Sequence, residues 1–509
     1  MKHTFFKSFL VVGTAGLILA GTGCNKLEDF GDTNLNPLGS TSPITSALLT
    51  NAQVNLGGLA QSVRPALYVQ YLAETQYTDA SLYAEPKLES GGSYSGPMYD
   101  LQSIITRNTD PTTAGANLGS GSNANQIAVA KILLSYYIWT VTDRWGDVPY
   151  SESLKGAANF TPTFDKQEDI YKKMFVDLKD AIAGFDAGLA VRGDVMYGGD
   201  QAKWKKLANS LRMQMALRIS NAAPATAAAE FTAAANDPAG FIATNADNFV
   251  LAYPGGAAYR HPWFDLYNGR SDYALSKTLA DILGNMNDAR RSAYGSPGAP
   301  FPYGLKREQA TTLPTNYATV LAADKRAENS PVVVVSAATS LLAVAEGLQR
   351  NWITTTSSSP AFTSAKDAYD AAITASFMQW GVSGAAAYIA SPAAAYNTGT
   401  GGGTNIGSNP FGSIVGASAT TTTNLERIAL QRYIALFPDG IQAWSEWRRT
   451  GVPNLKPTIF ATNSAAGGQI PTRYVYGTNE YSLNPTKVAE AVARLPLGDV
   501  MNEKVWWDK

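Results

Sequence analysis

Cysteine occurs once in the 509 residues, at Cys24, and histidine twice, at His3 and His261. A single thiol leaves no disulfide framework. So few histidines cannot assemble a Cys/His zinc set or a Cys–His nucleophilic couple, and a Ser-His-Asp triad would rest on one residue in a His-Pro-Trp turn. No metal or cofactor is expected. After the first two dozen residues no uncharged apolar run is long enough to cross a bilayer. Charge is sparse and balanced, 16% of residues, with 40 Lys+Arg against 41 Asp+Glu and no long basic block. That balance excludes nucleic acid as the main ligand.

What is present begins at the N-terminus. Lys2 and Lys7 precede an apolar stretch from Phe9 to Ala20, followed by Gly21, Thr22, Gly23 and Cys24. This is the pattern of a secretory signal, too short for a mature membrane helix. Cys24 stands where a lipoprotein signal peptidase would cut, so residues 1–23 are expected to be removed and Cys24 to carry a lipid. Residues 24–43, with Asn34, Asn36, Pro37 and Pro43, read as an extended lipidated tether. The lipid is then the membrane attachment, and 44–509 is a body large enough for a substantial core. Its 25 Tyr and 10 Trp pair an apolar ring with a polar atom, useful in a core and at a binding surface alike.

Helical periodicity dominates the body. A helix is expected from Ile44 to about Gln61, leading into the tyrosine-dense Tyr68, Tyr71, Tyr77, Tyr83, Tyr94 and Tyr99. Ile127 to about Thr142 is apolar almost all round, which marks a buried helix. Its partner is expected to start at Asp165, with Glu168 completing a capping box and Gly184 closing the far end. Further pairs follow: a helix from Asp200 with Thr226–Ala235, and Ala337–Arg350 with Ser364–Trp380. Repeated amphipathic pairs suggest a helical-repeat scaffold of the tetratricopeptide sort; a non-repetitive helical domain is the alternative. From Gly381 to Leu425 there is no charged residue, and this reads as a loop-rich insertion.

Several segments resemble the SusD/RagB family, in the branch described as starch-binding and outer-membrane-associated. They are TQYTDASLY (75–83), TDRWGDVPYSESLKG (142–156), GDVMYGGDQAKWKKLANSLRMQMALRIS (193–220), AVAEGLQRNW (343–352), QRYIALFPDGIQAWSEWRRTGVPNL (431–455) and IPTRYVYGTNEYSLN (470–484). The resemblance covers nearly all of the mature chain in order. It implies a mainly α fold, with four tetratricopeptide-like helical units packed on an irregular, loop-rich ligand-binding region. It also implies nutrient capture, most naturally of an oligosaccharide, for a SusC-like TonB-dependent transporter, and a lipid-anchored protein on the cell surface. No catalysis is implied.

Position in the family and ring chemistry together point to two ligand-binding groups: Tyr77, Asp79, Tyr83, Tyr94 and Tyr99, and then Tyr259, Trp263, Tyr267 and Tyr273, with Asp272 as a further acceptor for hydroxyls. Two other clusters invite functional readings. Asp143 and Asp147 could be the carboxylate pair of a surface glycoside hydrolase, but Gly146 and Pro149 break the helix between them. The expected roles are structural, Asp147 in a turn and Asp143 at a helix end where Arg144 can pair. Trp444, Trp447, Arg448 and Arg449 could bind sugar or phosphate, but their spacing suits rings turned to the core and guanidiniums satisfying carbonyls and acids. A helical-repeat adaptor for other surface proteins is the third functional class.

Overall fold

The computed structural model describes residues 43–84, 86–256, 258–295, 297–396, 423–462 and 468–509. The signal, Cys24 and all of the tether except Pro43 lie outside them, as does 397–422 of the insertion. In place of the single helix expected up to Gln61, the chain makes Thr45–Val54 (α1) and Leu56–Ala60 (α2), followed by Val63–Tyr68 (α3). Gly57 and Gly58 weaken the helix there. Gly57 is also required by packing, since a Cβ on it would lie 1.8 Å from the Tyr253 hydroxyl oxygen. Strand β1, Leu72–Glu74, follows.

Tyr99–Thr109 (α4) leads to Asn123–Trp145 (α5), which Ser122 caps by accepting from the Asn125 N–H. Helix α5 is buried almost all round, as its composition requires, because α4 covers one side and the next helix another. That helix, Gln167–Gly184 (α6), corrects the expected cap. Asp165 belongs to β3 (Phe164–Asp165), which pairs with β2 (Val148–Pro149). Its carboxylate accepts from the N–H groups of Tyr150 (2.9 Å) and Ser151 (2.8 Å) and so holds the hairpin instead. Asp147 takes the vacated role, accepting from the Gln167 N–H at 2.8 Å while pairing with Arg494. Asp200 does cap Gln201–Arg218 (α7), as expected, and Pro224–Ala235 (α8) follows.

Next come Phe249–Leu251 (β4), Pro262–Leu266 (α9), Tyr273–Leu275 (β5) and Lys277–Asn285 (α10). Val332–Val335 (β6), Ala337–Gln349 (α11), Ala365–Trp380 (α12) and Ala385–Ala390 (α13) continue the chain. Helix α13 gives regular structure to the first part of the insertion that composition reads as loop. Asn424–Ala435 (α14) and Gly440–Thr450 (α15) are the last long helices.

The fold is mainly α; α1 packs on α4, and from there the helices pack as sequence neighbours, α4 on α5, α5 on α6, α6 on α7 and α7 on α8. Helix α11 packs on α12 and reaches back to α7 and forward to α14; α14 meets α15, and α15 meets α3. The last contact is close enough to need glycine: a Cβ on Gly440 would sit 2.2 Å from the Ala66 backbone nitrogen. Among the described residues no helix is long and apolar enough to cross a membrane.

The polar clusters weighed above lie inside this scaffold. Trp444 is fully buried, and the Arg448 guanidinium sits 3.9 Å from its ring centre while donating to the carbonyls of Asp143 and Thr472. Arg449 makes a two-pronged pair with Glu346 and a second pair with Glu446. Asp143 is buried too, but its partner is Arg218 of α7 and not the adjacent Arg144, whose Nε donates to the Thr140 carbonyl. A helical residue and its immediate neighbour point in different directions, so Arg144 cannot turn to meet it. His261 is also buried, and it caps α9 by accepting at Nδ1 from the Trp263 N–H.

Candidate functional site

Strands β1 and β5 pair antiparallel, with Leu72 opposite Leu275, Ala73 opposite Ala274 and Glu74 opposite Tyr273. The pairing brings the loop leaving β1 and the loop entering β5 to one end of the ladder. There the Thr75 N–H donates to the Asp272 carbonyl at 2.8 Å, and its hydroxyl donates to the Ser271 carbonyl at 2.6 Å. Tyr317, more than 40 residues further on, donates to the same Ser271 carbonyl at 2.7 Å. Glu74 turns the first loop back on itself by accepting the N–H and hydroxyl of Ser81, both at 2.8 Å. Burial pushes the Glu74 carboxyl up, and the bonds from Ser81 and the charge of Arg64 oppose that shift.

The tip of this braced loop is Tyr77, 55% exposed. Two guanidiniums flank its ring, Arg307 at 5.1 Å and Arg270 at 5.7 Å from the centroid. Arg270 is ion-paired with Asp272, and Asp79 is exposed two residues beyond the ring. The result is a flat aromatic face next to several charge-bearing donors and acceptors. Such a surface can stack on the apolar face of a sugar and hydrogen-bond its hydroxyls.

The other expected residues are distributed differently. Tyr83 is fully buried, with its hydroxyl accepting from the Thr458 N–H, and burial drives its ionisation well up. Trp263 is buried at the centre of a small aromatic group, with Tyr267 at 5.9 Å and Tyr273 at 6.0 Å. Neither Tyr83 nor Trp263 presents a ring face to a ligand; both hold up the loops. Tyr267 is half-buried, donating to the Tyr273 carbonyl and accepting from the Val320 N–H. Tyr273 is half-buried in β5 itself. Tyr94 and the 44%-exposed Tyr99 anchor on the β2–β3 side: the Tyr94 hydroxyl donates to the Pro149 carbonyl, and Tyr99 lies against Gly156. Tyr259 is exposed beside the Arg260–Asp265 pair.

Arg270, Arg307 and Tyr317 are absent from the expected site. Only Arg270 carries a local signal, in the Asn268-Gly269-Arg270-Ser271-Asp272 turn. The other two arrive from distant sequence. Neither carboxylate of the hydrolase reading is open to substrate, since Asp143 is buried in its ion pair and Asp147 caps α6. Among the described residues no group of three or more His, Cys, Asp and Glu could hold a metal ion.

Comparison with known proteins places this architecture. A SusD-like family model, described as starch-binding and associating with the outer membrane, matches residues 37–477. The chain belongs to this SusD-like family. A chitin-binding protein of solved structure is 27% identical, with 91% of this chain and 99% of that one covered and a TM-score of 0.72. A SusD homologue from Bacteroides uniformis is 25% identical over 92% of this chain and all of its own, with a TM-score of 0.77. A chitin-binding SusD homologue from Flavobacterium johnsoniae shares the fold at 24% identity and a TM-score of 0.76, covering 91% of this chain and 98% of its own. No curated protein matches. The SusD-like scaffold thus carries the Tyr77 platform on loops outside its long helices.

Proposed function

We propose that this SusD-like protein is a non-catalytic, glycan-binding lipoprotein that captures oligosaccharide at the cell surface and delivers it to a SusC-like TonB-dependent transporter. The observation that carries the reading is the exposed Tyr77 ring, with the Arg270 and Arg307 guanidiniums within 6 Å of it, at the tip of a braced loop. The family's description and the chitin-binding relatives favour a sugar as the occupant. Tyr77, Asp79, Arg270 and Arg307 form the contact surface, with Tyr259 as an outlying ring. In this reading residues 1–23 are a removed signal, Cys24 bears the lipid, 24–43 is a tether and 44–509 a single binding domain.

Two measurements test it. Tyr77→Ala should weaken binding of chito- or malto-oligosaccharide in titration calorimetry by about 1–3 kcal/mol, the cost of a stacking anchor. Its denaturation midpoint should stay unchanged, because the ring is more than half exposed. Undiminished affinity for every glycan the native protein binds would remove the platform from the site. For the anchor, Cys24→Ala should move the protein from the outer-membrane fraction to the soluble one; continued sedimentation with membranes would refute lipidation.

A further inference from the structure

A cavity of about 240 Å³ lies between α5, α7, α12 and the turn from α14 into α15, behind His261. That is far above the roughly 10–15 Å³ that one water needs, and leaves room for a small molecule such as a single sugar ring. Trp139, Trp380 and Phe437 form aromatic walls. Four glutamines, Gln61, Gln214, Gln379 and Gln442, also line it, and each has one end of its amide without a hydrogen-bond partner. Three of these side chains belong to residues more than nine-tenths buried: Gln61 7%, Gln214 3% and Gln442 4% exposed. Buried amide groups left unpaired are costly and rare, so four around one space call for a partner within it.

The chemistry of that partner follows from the groups. Burial holds the His261 imidazole neutral, bringing its pKa down to about 4, with Arg326 adding to the effect. Because its Nδ1 accepts from the Trp263 N–H, the ring proton sits on Nε2 and faces the Gln61 amide at 3.3 Å. Gln61 thus meets the imidazole with one end of its amide and leaves the other unpaired. Burial also raises the Asp439 carboxyl to about 7, against the two N–H bonds it accepts from Gln442 and Ile441. Amides, a neutral imidazole and aromatic rings make most of the inner wall, and Asp439, half-ionised near pH 7, adds one further acceptor. Such a wall suits hydroxyl groups, each of which can donate and accept. On the rim, the ion-paired Asp324 and Lys325 are exposed enough to give a path to solvent.

We propose that this cavity is a second ligand site, distinct from the Tyr77 surface, which takes a single neutral sugar ring or a polyol of similar size. The site does not depend on the outer platform, and the two can fail separately. Glucose and N-acetylglucosamine are the probes, applied to the full mature protein by calorimetry and by thermal unfolding. Saturable binding is expected, with a dose-dependent rise in Tm. Tyr77→Ala should leave it intact, and Gln214→Leu, of similar volume, should weaken it ten-fold or more without changing oligosaccharide binding at the outer surface. Gln379→Leu, at a half-buried position, serves the same purpose should Gln214→Leu fold poorly. The proposal is overturned if neither sugar binds, which would mean the cavity holds water only. It is also overturned if monosaccharide binding disappears with Tyr77→Ala, or if it survives unchanged in both glutamine variants.

Discussion

Asp143→Ala is expected to cost about 3–5 kcal/mol of folding stability, because it strips the counter-charge from a buried guanidinium. The Asp143 carboxylate accepts from Arg218 at 3.0 Å, the Tyr171 hydroxyl at 2.6 Å and the Trp507 indole at 2.8 Å. It thereby joins α5, α6, α7 and the C-terminal segment in one contact. Arg218 is 1% exposed and sits over Trp139 and Trp507, so after truncation its charge has lost its ion pair and is shut off from water. Asp143→Asn keeps the shape and one acceptor, and should lose less. Chemical denaturation of the purified variants decides the matter. A catalytic carboxylate would give the opposite pattern, a normally folded protein without hydrolytic activity; native stability in Asp143→Ala would discard the structural role.

Arg449→Met should be comparably damaging at neutral pH, again about 3–5 kcal/mol, with a pH dependence that identifies the cause. In the native protein Arg449 lies between Glu346 and Glu446, and all three are nearly fully buried. Burial by itself would raise the Glu446 carboxyl, but Arg432 and Arg449 outweigh it and bring the pKa down to about 2. A carboxylate depressed in this way binds fewer protons folded than unfolded. Its stabilisation is present above about pH 4.3 and is lost as the pH falls toward 2. Without Arg449, Glu446 keeps only its pair with Arg432 and Glu346 only that with Arg350, and the two buried acids repel each other, so both bind protons more readily in the folded variant than in the native protein. The variant's deficit should then shrink on acidification from pH 7 to pH 5. Adding Glu346→Gln and Glu446→Gln should restore much of the stability at pH 7. A deficit that stays constant across this range would show that lost packing, and not unpaired charge, is responsible.

Both networks were partly legible in the sequence. The three-residue spacing of Trp444 and Trp447 and the position of Arg448 and Arg449 near a helix end pointed inward, and the structure buries Trp444 and pairs Arg449 with acids. Glu446 is a local partner three residues away on the same helix, but Glu346 was not legible, since it lies 103 positions away. Helix caps divide the same way. Asp200 behaves as its local context dictates, whereas Asp165 is taken by a hairpin whose other strand starts 17 residues earlier, and Asp147 caps in its place.

At the candidate site the residues named from sequence include the loop bearing Tyr77 and Asp79 and the segment around Tyr273, which the structure brings to one end of the β1–β5 ladder. Sequence could not separate rings that face solvent from rings that hold the loops up. Tyr83 and Trp263 have the same side-chain chemistry as Tyr77, and only their surroundings differ. Arg270 joins the Tyr77 loop because β1 and β5 pair, a contact across about two hundred residues, and Tyr317 then bonds to Ser271 at the same end of the ladder.

Signal-like N-terminus, helical class and family were open to inspection of the sequence because each is written in local composition, periodicity or contiguous motif. Tertiary structure alone decided which tyrosine stands exposed beside two arginines, which carboxylates are locked in ion pairs and where four glutamines line one cavity. These depend on contacts between residues far apart in the chain, and the energy of a contact has no counterpart in the spacing of the residues that make it.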